Sequence, residues 1–272
     1  MNYHIGVCEW SLPVNGPSSV TLAAKAGFDG IQIGDLGGME QGCPMNSPAV
    51  QEGYLQAAAD AHITLHSLHP YGLQRNGNML FPPDTLRGQQ GAEEVALCID
   101  ACEKMQIPCL MLSSFFATLV RNEWDFQTFA RQLQRACEVG ADHGVRVVYE
   151  SVLSPQRIRR MIEATDGRLR ICYDTLNPIR WGTGDPAEEI PQLAGYIDHF
   201  HLKDAPWDLK GYSMIGAGRG ALRENSEIIR RVYPSGWLVS ENYYTLLSTQ
   251  EHTDFMELAS RDLAAIRALF PE

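Results

Sequence analysis

The sequence predicts a (β/α)8 barrel in a single domain spanning residues 1–272, and three observations carry that expectation. Short apolar runs alternate with helical patterns eight times along the chain. The segments that follow the apolar runs are long and rich in Gly, Pro, Asn and aromatics, while those that precede them are short. Four successive runs in the C-terminal half also end in a residue that would be costly inside a buried strand: Glu150, Asp174, His201 and Glu241. Parallel strands covered on both faces read as continuous apolar runs. Eight βα units at this length close into a barrel whose long loops sit at the C-terminal ends of the strands. A doubly wound sheet would use fewer strands and offer a Gly-rich phosphate turn.

The expected strands are His4–Trp10, Gly30–Gly34, Ile63–His69, Cys109–Ser113, Val145–Glu150, Leu169–Asp174, Asp198–Lys203 and Trp237–Asn242. Between them run helical patterns at Ser18–Ala26, Pro48–Ala61, Leu86–Met105, Phe126–His143, Pro155–Ala164, Pro186–Leu193, Leu222–Val232 and Thr253–Leu269. Period carries the helices. Phe126, Phe129, Ala130, Leu133, Ala136 and Cys137 form one apolar stripe, as do Phe255, Leu258, Ala259, Leu263, Ile266 and Leu269. Gly27, Gly144, Gly167 and Gly236 punctuate the passage from helix to next strand. The long loops, at Asp35–Ser47, Pro70–Thr85, Phe115–Asp125, Thr175–Asp185 and Ala205–Ala221, mark the face where chemistry is expected.

Composition narrows the class of function. A formal net charge of -11 without any basic run disfavours a nucleic-acid partner. No apolar stretch approaches bilayer length, and the N-terminus M-N-Y-H-I-G-V lacks a charged leader and an apolar signal core. The seven cysteines are odd in number and lie mostly in apolar periodic segments, which reads as reduced core thiols in a cytoplasmic protein. Cys98 and Cys102, four apart on a helix, read as core before they read as ligands.

Glu150, Asp174, His201 and Glu241 supply three carboxylates and an imidazole. Each taken alone reads equally well as a strand cap or the partner of a nearby cation. As a set they suit one hard divalent ion, Mn²⁺ first, with Mg²⁺, Co²⁺ and Zn²⁺ as alternatives. Three neighbouring carboxylates repel one another unless a cation sits among them.

The strings V-V-Y-E at Glu150, C-Y-D-T-L-N around Asp174, H-F-H-L-K-D around His201 and L-V-S-E-N at Glu241 resemble the xylose isomerase-like TIM barrels. This sugar phosphate isomerase/epimerase superfamily also holds endonuclease IV, and the resemblance covers essentially the whole chain. It implies that the four residues bind one divalent ion, and that Glu150 and Glu241 face opposite sides of a sugar and move protons. The implied chemistry is carbohydrate isomerisation or epimerisation through a metal-stabilised enediolate. The alternatives are a lyase on the same site, of the inosose dehydratase or keto-sugar β-elimination kind, and a non-catalytic sugar-binding subunit. The implied partner is a small-molecule sugar or polyol, and the chain is expected to act as a homo-oligomer or beside a partner subunit, without nucleic acid or membrane.

Two departures bear on the substrate. Asn177 stands where the epimerases place a histidine, and an amide can bond a hydroxyl but not carry a proton. The stretch Ser151–Gln156 lacks the Asn-Arg-aromatic-Glu string of free-ketose 3-epimerases. Asn177, Ser113-Ser114 and Met214-Ile215-Gly216 leave the additional ligand places of endonuclease IV empty.

The further candidates for substrate contact are His69, Asn177, Lys203, Arg219, Glu9 and Trp10. His66 and His69 close the third strand, and alternation turns one of them inward. Lys203 shares its strand face with His201 and reads first as a counter-charge. Arg219, in G-A-G-R-G, lies in a loop placed to clamp an anionic or polyol substrate, and Glu9 and Trp10 close the first strand. Tyr71, Phe115, Trp181 and Trp207 are rim aromatics suited to a sugar's C–H face. No Gly-rich turn with Lys offers a phosphate cradle, which favours an unphosphorylated substrate.

Overall fold

The computed structural model describes residues 2–271. Among the described residues eight parallel strands follow one another around a closed barrel in the order β1 to β8. They are β1 Asn2–Cys8, β2 Gly30–Gly34, β3 Thr64–His69, β4 Cys109–Ser113, β5 Arg146–Glu150, β6 Arg170–Asp174, β7 Ile197–Leu202 and β8 Ser235–Ser240. The helices are α1 Pro17–Ala26, α2 Pro48–Ala61, α3 Tyr71–Asn76, α4 Leu86–Lys104, α5 Glu123–Asp142, α6 Pro155–Glu163, α7 Asn177–Trp181, α8 Pro186–Leu193, α9 Leu222–Val232, α10 Tyr244–Glu251 and α11 Phe255–Leu269. The (β/α)8 expectation holds.

One compact unit comprises the chain up to Gln32, Ala57–Thr64 and the chain from Cys172 onward. Within it β1 pairs with β2 and β8, and β7 pairs with β8 in a register that sets His201 opposite Val239. The other unit comprises Ile33–Gln56 and Leu65–Ile171, and holds the pairs β3–β4, β4–β5 and β5–β6. Every residue of β2 and β4 is buried, as a strand covered on both faces requires.

The helices pack by the stripes read from the sequence. Phe126, Phe129, Ala130, Leu133, Ala136 and Cys137 of α5 are all buried. This helix starts three residues earlier than the apolar period suggested. Asn122 caps it by accepting from Asp125 N at 2.9 Å, and acidic residues fill its first turn. The short rim helices α3, α7 and α10 lie where loops were expected, because five to eight residues are too few to display a period. β1 stops at Cys8 rather than Trp10. Glu9–Ser11 form a single 3₁₀ turn, closed by Leu12 N donating to Glu9 O, so Glu9 and Trp10 sit on a turn after the strand.

All seven cysteines carry free thiols. Among the described residues no helix is long and apolar enough to cross a membrane.

Candidate active site and cation-binding centre

β6 ends at Asp174, and its two oxygens have separate tasks. Oδ1 accepts from Leu176 N at 2.8 Å and Asn177 N at 2.6 Å, so it caps the turn that opens α7. Oδ2 faces the ammonium of Lys203 at 2.9 Å. One side chain thus both caps a turn and pairs with a buried cation.

Glu241 follows β8 directly. Its backbone N–H donates to Leu202 O at 2.9 Å, which continues the β7–β8 ladder past the last strand residue. Its Oε1 accepts the indole N–H of Trp10 at 3.0 Å. Its Oε2 lies 2.5 Å from Lys203 Nζ and 3.4 Å from His201 Nδ1. Burial opposes the charge on Glu241, but Lys203 and His201 outweigh it and hold the carboxyl well below the usual range. His201, with no exposed surface, is pulled in both directions. Burial disfavours its charged form, while Cys172, Cys8 and Glu241 favour it, and its pKa ends up raised.

Lys203 lies one residue beyond β7 and is 5% exposed. Its ammonium bridges Asp174 and Glu241. A positive charge is thus seated between two of the expected ligands. In the first unit Asp174, His201 and Glu241, all buried, each offer one ligand atom, and these atoms lie within 4.8 Å of one another. In the second unit Glu150 is buried at the end of β5. Carboxylates with an imidazole match hard, oxygen-preferring divalent ions, so this donor set fits such a cation. Cys172 and His199 form a further potential ligand group with the same His201.

The other expected contacts are distributed as follows. Trp10 orients Glu241 through its indole N–H and presents its ring edge-on to His201 at 6.3 Å. Asn177 is buried at the start of α7. Glu9 Oε1 accepts from Gly16 N and Ser19 Oγ, at 2.8 and 2.7 Å, and so anchors the loop into α1. Arg219 is exposed, with Nη1 3.5 Å from Trp207 O. In the second unit, His69 is buried with Nδ1 3.0 Å from Met111 O, and its ring lies 4.6 Å from that of Tyr71. His66, on the same strand, is also buried and bonds Ser67 Oγ at 2.9 Å.

Some working residues gave no sequence signal of function. Asp204, with no exposed surface, collects the N–H groups of Ala205, Gly216, Gly218 and Gly220. That ties down the loop between β7 and α9 which carries Arg219. Asn242 reinforces it by accepting from Asp204 N at 3.1 Å and donating to Ser213 O and Asp262 Oδ2. Gln32, inside β2, gives no signal among its apolar neighbours. Asp204 closes the H-x-K-D string and was the one visible in principle, because a charge directly after a strand is costly without donors.

The known proteins similar to this chain agree with its geometry. The family model of the xylose isomerase-like TIM barrel matches residues 20–258. A curated relative, 2-epi-5-epi-valiolone 7-phosphate 2-epimerase of an Actinoplanes species, is 32% identical over 250 residues, covering 90% of this chain and 88% of that protein. Among solved structures, D-psicose 3-epimerase from Clostridium cellulolyticum, with D-tagatose, superposes with a TM-score of 0.78 at 14% identity, over 98% of this chain and 99% of the other. 3-Keto-D-glucoside 4-epimerase from E. coli does so with a TM-score of 0.73 at 16% identity, over 98% and 100%. At those identities the structural likeness speaks for the fold alone. The extent of the family match and the identity to the curated relative settle the assignment: the chain belongs to the xylose isomerase-like TIM-barrel family.

Proposed function

We propose that this protein is a divalent-metal-dependent epimerase of a keto sugar or ketocyclitol that moves a proton at the carbon next to the carbonyl. The observation that carries the reading is the convergence of Asp174, His201 and Glu241, with their ligand atoms within 4.8 Å of one another. The seating of the Lys203 ammonium against Asp174 and Glu241 supports it. So does the curated relative, a 2-epi-5-epi-valiolone 7-phosphate 2-epimerase.

Glu150, Asp174, His201 and Glu241 would hold the ion, with Mn²⁺ as the expected occupant. Such an ion would supply Lewis-acid polarisation of a carbonyl, which acidifies the neighbouring C–H. Glu150 and Glu241 are the proton-transfer pair. With its pKa depressed, Glu241 is ionised at neutral pH, yet it is a weak base while Lys203 donates to it. It gains basicity when that ammonium turns away. Trp10 holds Oε1 through its indole N–H, and Oε2 is the oxygen that Lys203 and His201 face. Asn177 bonds a substrate hydroxyl without taking its proton. Return of the proton to the opposite face of the same carbon is epimerisation.

The test is solvent exchange in purified protein of determined metal content. With Mn²⁺ in deuterated water, keto sugars and ketocyclitols are expected to gain deuterium at the carbon beside the carbonyl without loss of mass. Metal removal or Glu150→Gln should abolish the exchange in a folded protein. Phosphorylated and free ketones run in parallel decide whether the anionic group matters, with Arg219 as the cation expected to respond to it. A folded, metal-loaded protein that exchanges no proton on any such ketone refutes the reading. Release of water from the substrate points to a lyase instead.

A further inference from the structure

Gln32 lies inside β2 in the run G-I-Q-I-G, and its side chain has no contact with solvent. A carboxamide buried within a strand is costly unless it is hydrogen-bonded. Its Oε1 lies 2.7 Å from Nε2 of His201 and 3.4 Å from Sγ of Cys8, its register partner on β1. Both neighbours meet the same atom, and a carboxamide oxygen only accepts. The thiol of Cys8 donates to it, so the amide is turned with its oxygen toward the imidazole. The proton of His201 on that side must then be on Nε2. The nitrogen left facing the carboxylates is Nδ1, 3.4 Å from Glu241 Oε2.

An imidazole binds a cation through a lone pair on one nitrogen and is oriented through the N–H of the other. We propose that Gln32 is a positioning residue that locks His201 in the Nε2–H form and so presents Nδ1 to the cation, with Cys8 fixing the rotation of the Gln32 amide. The inference rests on the cation-binding reading of the site, but part of its test does not. A glutamine that merely filled the core would tolerate any side chain of its size.

The experiment uses the full chain as wild type, Gln32→Leu and Gln32→Glu, with Gln32→Met in place of Gln32→Leu if that variant does not fold. Long-range proton–nitrogen NMR correlations of the His201 ring in metal-free protein, recorded at a pH high enough to leave the ring neutral, should show the proton on Nε2 in the wild type. The apolar variant should show a mixture of tautomers. A wild-type ring protonated on Nδ1 overturns the proposal whatever the protein binds. Mn²⁺ affinity, read from the electron paramagnetic resonance of the free ion, should fall roughly 10–100-fold in the apolar variant. It should recover in Gln32→Glu, which keeps the acceptor. Unchanged affinity in a folded apolar variant, or no recovery in Gln32→Glu, also overturns it. Failure of the wild type to take up any divalent ion refutes the cation reading, while the tautomer measurement still decides the role of Gln32.

Discussion

Buried carboxylates occur in both compact units, yet they are satisfied in opposite ways. In the second unit Asp35 accepts from Gly37 N at 3.0 Å and Gly72 N at 2.7 Å. Glu94 there accepts from Met39 N at 3.2 Å and Asn76 Nδ2 at 2.9 Å. Burial pushes the Glu94 carboxyl up, and its hydrogen bonds only partly offset this. In the first unit Glu241 is also buried but held well below its usual range by a lysine ammonium and an imidazole. Main-chain N–H groups and a cap amide are fixed donors, so Asp35 and Glu94 are committed to holding loops together. An ammonium on a flexible stem can leave. Oxygens satisfied by Lys203 can therefore exchange their partner for a cation or a substrate proton, and that separates a site from scaffolding.

The largest effect should follow from removing the carboxylate proposed to move the proton. Glu241→Gln keeps the volume and a donor for Trp10 or Lys203 to contend with, but removes the base. Turnover on whatever ketone proves active is expected to fall on the order of 10³-fold, with circular dichroism unchanged. A loss of less than about tenfold, below the usual range for general acid–base groups, would place the chemistry elsewhere.

Lys203→Met takes the counter-charge from two buried carboxylates. Metal-free protein should lose about 3 kcal/mol in denaturant unfolding, as breaking a buried ion pair commonly costs. Added Mn²⁺ should restore more stability to this variant than to the wild type, because the cation takes over the task of the ammonium. Equal gains in the two proteins would mean that Lys203 does not share the cation's ground.

Asp262 shows that the contrast concerns donors and not location. It lies in the first unit and is committed, accepting from Ile215 N at 2.8 Å and from Asn242 Nδ2. Burial raises its pKa to about 6 despite those bonds. The folded state then binds the proton more tightly than the unfolded chain does. Its contribution is thus present in full below the unfolded carboxylate value and is lost as pH rises through about 6. The stability difference between wild type and Asp262→Asn should fall by up to about 3 kcal/mol across that window and level off above it. A flat difference would mean that Asp262 is ionised throughout.

The sequence made the acids at strand ends legible and those within helices nearly invisible, for a physical reason. A charge that ends an apolar strand contrasts with everything before it, so Glu150, Asp174, His201 and Glu241 could be found by reading where strands stop. Glu94 and Asp262 lie within amphipathic helices, where a single acid looks like part of the solvated face. Their burial depends on which loop covers them. Gln32 hides in a strand because one amide among apolar residues has no period, and its partner is 169 positions away. Strand ends such as β2 and β4 matched their expected limits. The helix α5 and the turn at Glu9 shifted by two or three residues, because a cap or a 3₁₀ turn is decided by one hydrogen bond. His66 and His69 are both buried, since a barrel strand is covered on its interior face and on its helix-facing side alike.

The smallest effect should come from Glu94→Gln, and it is the sharpest control on the comparison. Glutamine has one acceptor oxygen in place of two, so either Met39 N or Asn76 Nδ2 loses its partner inside the protein. One unmet buried donor costs about 1–3 kcal/mol, and relief of the repulsion between Glu94 and Asp35 offsets part of it. The net destabilisation in urea should therefore be about 1 kcal/mol, with proton exchange on substrate essentially unchanged. If Glu94→Gln instead cost as much turnover as Glu241→Gln while remaining folded, fixed donors would not mark a carboxylate as scaffold. The rim of the second unit would then have to carry part of the reaction.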